Sequence, residues 1–139
     1  MREHAPATGF TLLELMITVV IVAILASVAV PSYMAHIQST RREEAKKALL
    51  DAAQKMESYF AQNMTYDVAK DITIFKKQVP DSGTAHYLIK IDSQTKNSYT
   101  LKAVRNGVQA NDPCGDLVLK RDGTQDVSDD ATYSKAQCW

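Results

Sequence analysis

Between Phe10 and Val30 the sequence reads FTLLELMITVVIVAILASVAV, 21 residues broken by a single charge, Glu14. A helix that is apolar all round needs apolar surroundings all round, and a chain of 139 residues, one domain by size, has little interior to offer it. As a helix the run would span about 30 Å at about 1.5 Å per residue, the thickness of a bilayer core. From Leu15 to Val30 only Thr18 and Ser27 are polar. The rest of the chain is correspondingly polar, so the sequence divides into a membrane-compatible segment and a water-compatible one. Two readings of the first thirty residues compete. One is a secretory signal peptide cut at a small-x-small site such as Ser27-Val28-Ala29. The other is a retained membrane helix behind a short leader, residues 1–9, cut between Gly9 and Phe10. Glu14 inside the apolar stretch, the cancelling charges of Arg2 and Glu3, and the length of the run all favour the second.

The string Gly9-Phe10-Thr11-Leu12-Leu13-Glu14 resembles the type IV prepilin signature, and Val30-Pro31-Ser32-Tyr33 is similar to the pattern that follows it in that family. The resemblance implies a dedicated prepilin peptidase that cuts after Gly9 on the cytoplasmic side and methylates the new amine of Phe10. Glu14 then becomes the fifth residue of the mature chain. Many family leaders carry Lys or Arg just before the glycine. Here Ala7 and Thr8 stand there, which leaves Arg2, His4 and the amino terminus to hold the leader inside. A carboxylate inside a membrane is costly unless it is paired. The cut creates a cation on Phe10, so Glu14 of one subunit is expected to pair with that amine on a neighbour and set the axial register of packed helices; the bland alternative is snorkelling to the headgroups. Pro31 has no N–H, so the Ser27 carbonyl loses its usual partner and the helix is expected to bend or open there.

Beyond Pro31 a helical period continues. Ala45, Ala48, Leu49, Ala52, Met56 and Tyr59-Phe60 recur at spacings of three and four, predicting one apolar face. No Gly or Pro occurs from Ser32 to Gln62, so a single helix of about 50 residues is expected from Thr11 onward, with Asn63 as its end cap; the mean helix is only about 11–12 residues. Glu43–Lys47 and Asp51–Lys55 are spaced as i,i+4 ion pairs, and Arg41-Arg42-Glu43-Glu44 reads as a solvated or intersubunit face.

Residues 64–84 read as a connecting loop, residues 85–127 as sheet. Tyr87, Ile89 and Ile91, then Tyr99, Leu101 and Ala103, then Leu117 and Leu119, alternate in period two. Turns fall at Asp92 to Asn97, Asn106-Gly107 and Asp122-Gly123. The expected fold is α+β of the type IV pilin kind: a long N-terminal α-helix packed on a small antiparallel sheet of three or four strands. Both cysteines, Cys114 and Cys138, lie beyond the membrane helix. An exported, oxidising setting favours a disulfide between them over two free thiols, and residues 114–138 resemble the disulfide-bounded C-terminal region of pilins. Trp139 is expected to pack on the sheet. Ala48 to Gln54, Tyr59-Phe60, Cys114-Gly115 and Cys138-Trp139 are most similar to PilE-like minor pilins, with a major pilin remaining open.

Catalytic signatures are missing from the sequence. It has no H-E-x-x-H, G-x-S-x-G or P-loop, and its five glycines never fall in G-x-G spacing. No catalytic residue, metal ligand set or cofactor is expected. Asp122, Asp126, Asp129 and Asp130 match no calcium-loop spacing and read as acidic turns, and His86 reads as a surface or packed histidine. The net charge is zero, from 16 basic and 16 acidic residues, which argues against bulk-charge nucleic-acid binding. A local stripe of Lys90, Lys102 and Lys120 on the outer sheet face, with Arg105 and Arg121 near strand ends, could still contact DNA phosphates; DNA is a partner the balance of charge does not favour.

The resemblance thus implies a structural subunit of a type IV pilus, a minor one on this reading, with roles in pilus biogenesis, twitching motility, adhesion or DNA uptake. Implied partners are other pilin subunits, the prepilin peptidase and the inner-membrane assembly platform. The single-pass protein would sit in the bacterial inner membrane with its head in the periplasm, then in the extracellular pilus. A DNA-binding competence pilin and a type II secretion pseudopilin are the alternatives.

Overall fold

The computed structural model describes residues 9–69 and 72–139; residues 1–8 of the expected leader lie outside the described residues. The chain separates into two units, one ending at Ile37 and one comprising Gln38–Trp139. A continuous helix, α1 (Leu12–Asn63), supplies the described helical part of the first and opens the second.

In the first unit Thr11 caps the helix: its Oγ1 accepts from the Glu14 N–H at 3.2 Å, the N-cap to N3 bond that satisfies one orphan amide of the first turn. The helix assignment runs unbroken through Pro31, so at Pro31 the expected opening of the helix is not seen. One missing N–H costs a single ladder bond, which its neighbours outlast.

The second unit is built on a stripe of α1. Ala45, Leu49, Ala52 and Met56 are fully buried, at spacings of four, three and four that keep them on one helix face. Against them lies an antiparallel sheet in the order β1 (Gln78–Val79), β2 (Tyr87–Gln94), β3 (Tyr99–Arg105), β4 (Leu117–Lys120), β5 (Gln125–Val127). Its inner face contributes Tyr87, Ile89, Tyr99, Leu101, Ala103, Leu117 and Leu119 to one core with the helix. A 3₁₀ turn (Gly107–Gln109) follows β3, and a short helix, α2 (Lys135–Cys138), ends the chain.

Several expectations need correcting. The sheet has five strands, not three or four: β1 falls inside the expected loop 64–84, and β5 carries the polar residues Gln125 and Asp126. Ile91 is only half-buried, because the β2–β3 register shifts between Ile91 and Ser93 and the alternation breaks there. The helix runs one residue further than expected and takes in Asn63, its expected cap. Met64 takes the left-handed φ of 55° and its N–H bonds the Phe60 carbonyl at 2.7 Å. Asn63 instead turns its Nδ2 back to the Tyr59 carbonyl at 2.9 Å. Glu43 pairs with Lys46 at 2.7 Å, i,i+3, in place of the expected Lys47. Arg42 is not solvated. It lies three residues before Ala45, on the core stripe, and is buried.

Candidate functional site

From Leu12 to Met34 the large apolar side chains of α1 stand exposed, as does Phe10 just before the helix, by 84%. Between Leu15 and Val30 only two side chains are polar, and both are internally satisfied. Thr18 Oγ1 donates to the Leu15 carbonyl at 2.8 Å and Ser27 Oγ to the Ile24 carbonyl at 2.7 Å. Their hydroxyls therefore make no demand on surrounding water, which suits a segment whose neighbours are lipid or other apolar helices. Glu14 sits in the first turn of the helix, where its charge complements the dipole. Among the described residues its carboxylate has no ion pair. Gly9 and Phe10 precede the helix, both exposed and outside any regular element.

The head is locked by a buried polar node. Asp112 is 1% exposed and accepts from five donors. Arg42 grips it with two bonds, Nε to Oδ2 at 3.2 Å and Nη2 to Oδ1 at 2.7 Å. The Tyr87 hydroxyl, Gln109 Nε2 and the Cys114 N–H complete the set at 2.9, 3.1 and 3.0 Å. Helix, β2, the 3₁₀ turn and the cysteine loop thus converge on one carboxylate. Burial pushes the Tyr87 phenol up to about 12. A second node lies toward the far end of the helix. The Tyr66 and Tyr99 hydroxyls both donate to the Glu57 carboxylate, at 2.7 and 3.2 Å, and burial raises both phenols. Phe60 stacks on the Tyr66 ring at 4.4 Å, and the Arg121 guanidinium lies over that ring at 5.3 Å.

Cys114 and Cys138 are joined by a disulfide, both fully buried. The residue after Cys114 is Gly115 at φ +66°, where an added Cβ would stand 2.4 Å from Ser128 Oγ, so the turn into β4 excludes a side chain. Trp139 Nε1 donates to the Asp126 carbonyl of β5 at 2.7 Å.

The outer-face lysines are only partly brought together. Lys90 and Lys102 are direct cross-strand partners, but Lys120 faces Thr100, one diagonal step from Lys102. Much of the expected positive charge is already used. Lys102 pairs with Asp92 at 2.9 Å, whose hydrogen bond raises the lysine above its ordinary range. Arg105 holds Asp116 and Asp130, and Arg121 Nε donates to the Tyr66 hydroxyl at 3.0 Å. Lys90 and Lys120 are left without an ion pair among the described residues. The acidic turns serve local roles: Asp122 Oδ1 accepts the Thr124 N–H at 2.9 Å, and Asp130 pairs with Arg105. Sequence reasoning missed the Arg42–Asp112 node. Its one visible signal was that the core stripe, extended by three residues toward the N-terminus, lands on Arg42.

The sequence matches the prokaryotic N-terminal methylation motif over residues 6–30 and the family described as type IV minor pilin ComP, DNA uptake sequence receptor, over residues 31–118. The chain belongs to the type IV pilin family. Among relatives, the pilin is 34% identical over 103 residues to the type IV wide pilus major component PilA4 of Thermus thermophilus, covering 73% of this chain and 76% of the relative. It is 31% identical over 129 residues to the type IV major pilin protein PilA of Myxococcus xanthus, covering 89% of this chain. The chain spans about half, 55%, of that relative's length. The non-core minor pilin PilV of Neisseria meningitidis has the same fold, with a TM-score of 0.56 at 23% identity over 68% of this chain and 89% of that one. Family membership makes the pilin a pilus subunit, anchored by its apolar helix in the inner membrane before assembly and lying in the extracellular pilus afterwards.

Proposed function

We propose that this pilin is a minor, non-enzymatic subunit of a type IV pilus that the prepilin peptidase cuts after Gly9 and methylates at Phe10, and that other pilins and the inner-membrane assembly platform draw into the filament through α1. One observation carries the reading. Glu14 is the single charge in an exposed apolar stretch of helix whose two other polar side chains up to Val30, Thr18 and Ser27, are satisfied internally. An acid so placed is tolerable in lipid or in a filament core only with a partner, and the Phe10 amine of a neighbouring subunit is the cation that cleavage creates. Pro31, within the same apolar stretch, supplies the point at which the helix can open when lipid is exchanged for filament.

Mass spectrometry of sheared filaments tests the processing: the chain should begin at methylated Phe10, and a start near Val30 would mean an ordinary signal peptide. At equal membrane levels, Glu14→Ala should enter filaments at least about tenfold less than wild type, the equivalent of about 1.4 kcal/mol of pairing. Wild-type incorporation of that variant would defeat the register role. If deletion of the protein spares pili and blocks enzyme export, the pseudopilin reading takes over.

A second reading, DNA contact, is favoured by the family match over residues 31–118, whose description names a DNA uptake sequence receptor, and by the adjacency of Lys90 and Lys102. Phosphate contacts by these lysines and Lys120 would make binding fall steeply with salt. Salt-independent binding, or none, would remove this reading and leave the subunit role intact.

A further inference from the structure

The two edges of the sheet are finished differently. Along β5, helix α2 packs beside the strand and the Trp139 indole occupies the Asp126 carbonyl. At the other edge β1 pairs with only Tyr87 and Leu88 of the eight-residue β2. One more bond, from the Ile89 N–H to the Lys77 carbonyl at 2.9 Å, extends that ladder. Since Gln78 faces Leu88 and Val79 faces Tyr87, the same register carried on would place Phe75 opposite Ile91. The chain peels away instead, and described residues 72–77 belong to no strand. Amides two residues apart in a strand point the same way, so the Ile91 N–H faces the gap.

Between the peeled segment and the strand lies a cavity of about 490 Å³, lined in part by Val68, Ile72, Ile74, Phe75, Ile89 and Ile91. Ile72 is 45% exposed, while Ile74, Phe75 and Ile91 are half-buried. Lys77 and Lys90 also line it. Both are exposed, and neither makes an ion pair among the described residues. The carboxylate there, Asp92, is engaged by Lys102.

We propose that this open edge of β2 accepts an extended peptide strand in which apolar side chains alternate with acidic ones. Strand addition supplies main-chain hydrogen bonds along an unpaired edge and places alternate side chains on opposite faces. Residues of one parity enter the apolar cavity beside Ile89 and Ile91. Those of the other parity emerge on the outer face, where Lys90 stands. The edge also decides between a peptide and a fatty acid. An alkyl chain with a carboxylate head matches the cavity and the lysines, yet it leaves the Ile91 amide without an acceptor.

The test uses ¹⁵N-labelled full-length protein in detergent micelles and follows exchange of the Ile91 amide by NMR. The probes are a capped alternating valine–glutamate hexapeptide, the same peptide methylated at alternate backbone nitrogens, a valine–lysine counterpart, and laurate. The valine–glutamate peptide should slow exchange at Ile91 by at least about tenfold. The methylated peptide should not, and Lys90→Glu should transfer the preference to the lysine peptide. Four results would overturn the proposal. They are Ile91 protection in the free protein, which would mean that the chain's own Phe75 segment closes the ladder; equal binding of the methylated peptide; an unchanged charge preference in Lys90→Glu; and binding of laurate alone.

Discussion

Asp112→Ala is expected to lower the stability of the head by about 3–5 kcal/mol, because removing one partner of a buried ion pair strands the other. The Arg42 guanidinium would remain under the sheet with its two hydrogen bonds gone, the Tyr87 hydroxyl and Gln109 amide would lose their shared acceptor Oδ2, and the Cys114 N–H would lose Oδ1. Urea titration of the full chain in micelles, read by near-ultraviolet circular dichroism, gives the number; a loss below about 1 kcal/mol, the scale of a surface pair, would show that water reaches the node. Replacing both ends by apolar residues, Arg42→Met with Asp112→Leu, should recover part of the loss, since no charge is then left buried. The same node sets an alkaline limit. Tyr87 titrates near 12 in the folded head and near 10 when unfolded. Its contribution is therefore complete below about pH 10 and disappears as the pH rises toward 12. Tyr87→Phe should flatten that part of the stability profile.

Removing the disulfide, as Cys114→Ala with Cys138→Ala, is the other large effect. The bond closes a loop with a sequence separation of 24, worth about 3.5 kcal/mol in the chain-entropy account. The loop holds β4, β5 and α2, and apart from the disulfide its second half is held by the Arg105–Asp130 pair and by the Ser128, Thr132 and Tyr133 amides bonded to the Asp116 and Pro113 carbonyls. β5 has three residues, α2 has four, and the Trp139 indole bond follows directly on Cys138. The double variant should thus keep α1 and the β2–β3 pair while residues after Val127 become the first sites of proteolysis. An unchanged urea midpoint, with intact resistance to protease beyond Val127, would show that the noncovalent contacts of residues 128–139 hold the end of the chain without the bond.

The two variants mark where sequence reasoning reached and where it stopped. The core stripe of α1 was legible because Ala45, Leu49, Ala52 and Met56 declare it by spacing and by type. Arg42 shares that stripe, but a charged residue in a run of charges reads as solvated unless its partner is in view, and Asp112 lies 70 residues away in sequence. The three long strands were legible by alternation. Strands β1 and β5, two and three residues long, carry no period that could be read; each exists only because a neighbour offers it a ladder. The outer lysines were placed on the right face by parity. Their mutual register, and the carboxylates that neutralise Lys102 and Arg105, depend on the β2 bulge and on turns from other parts of the chain.

Local chemistry, then, decided everything that rests on a short window: the length and apolarity of the N-terminal helix, the N-terminal methylation motif that includes Gly9 to Glu14, and the identity of the helical and strand segments, because periodicity and side-chain type act over a few residues. Pairing across the chain decided the rest. Which charges are buried, which edge of the sheet is sealed and which stays open depend on residues tens of positions apart, and only folding brings those within bonding distance.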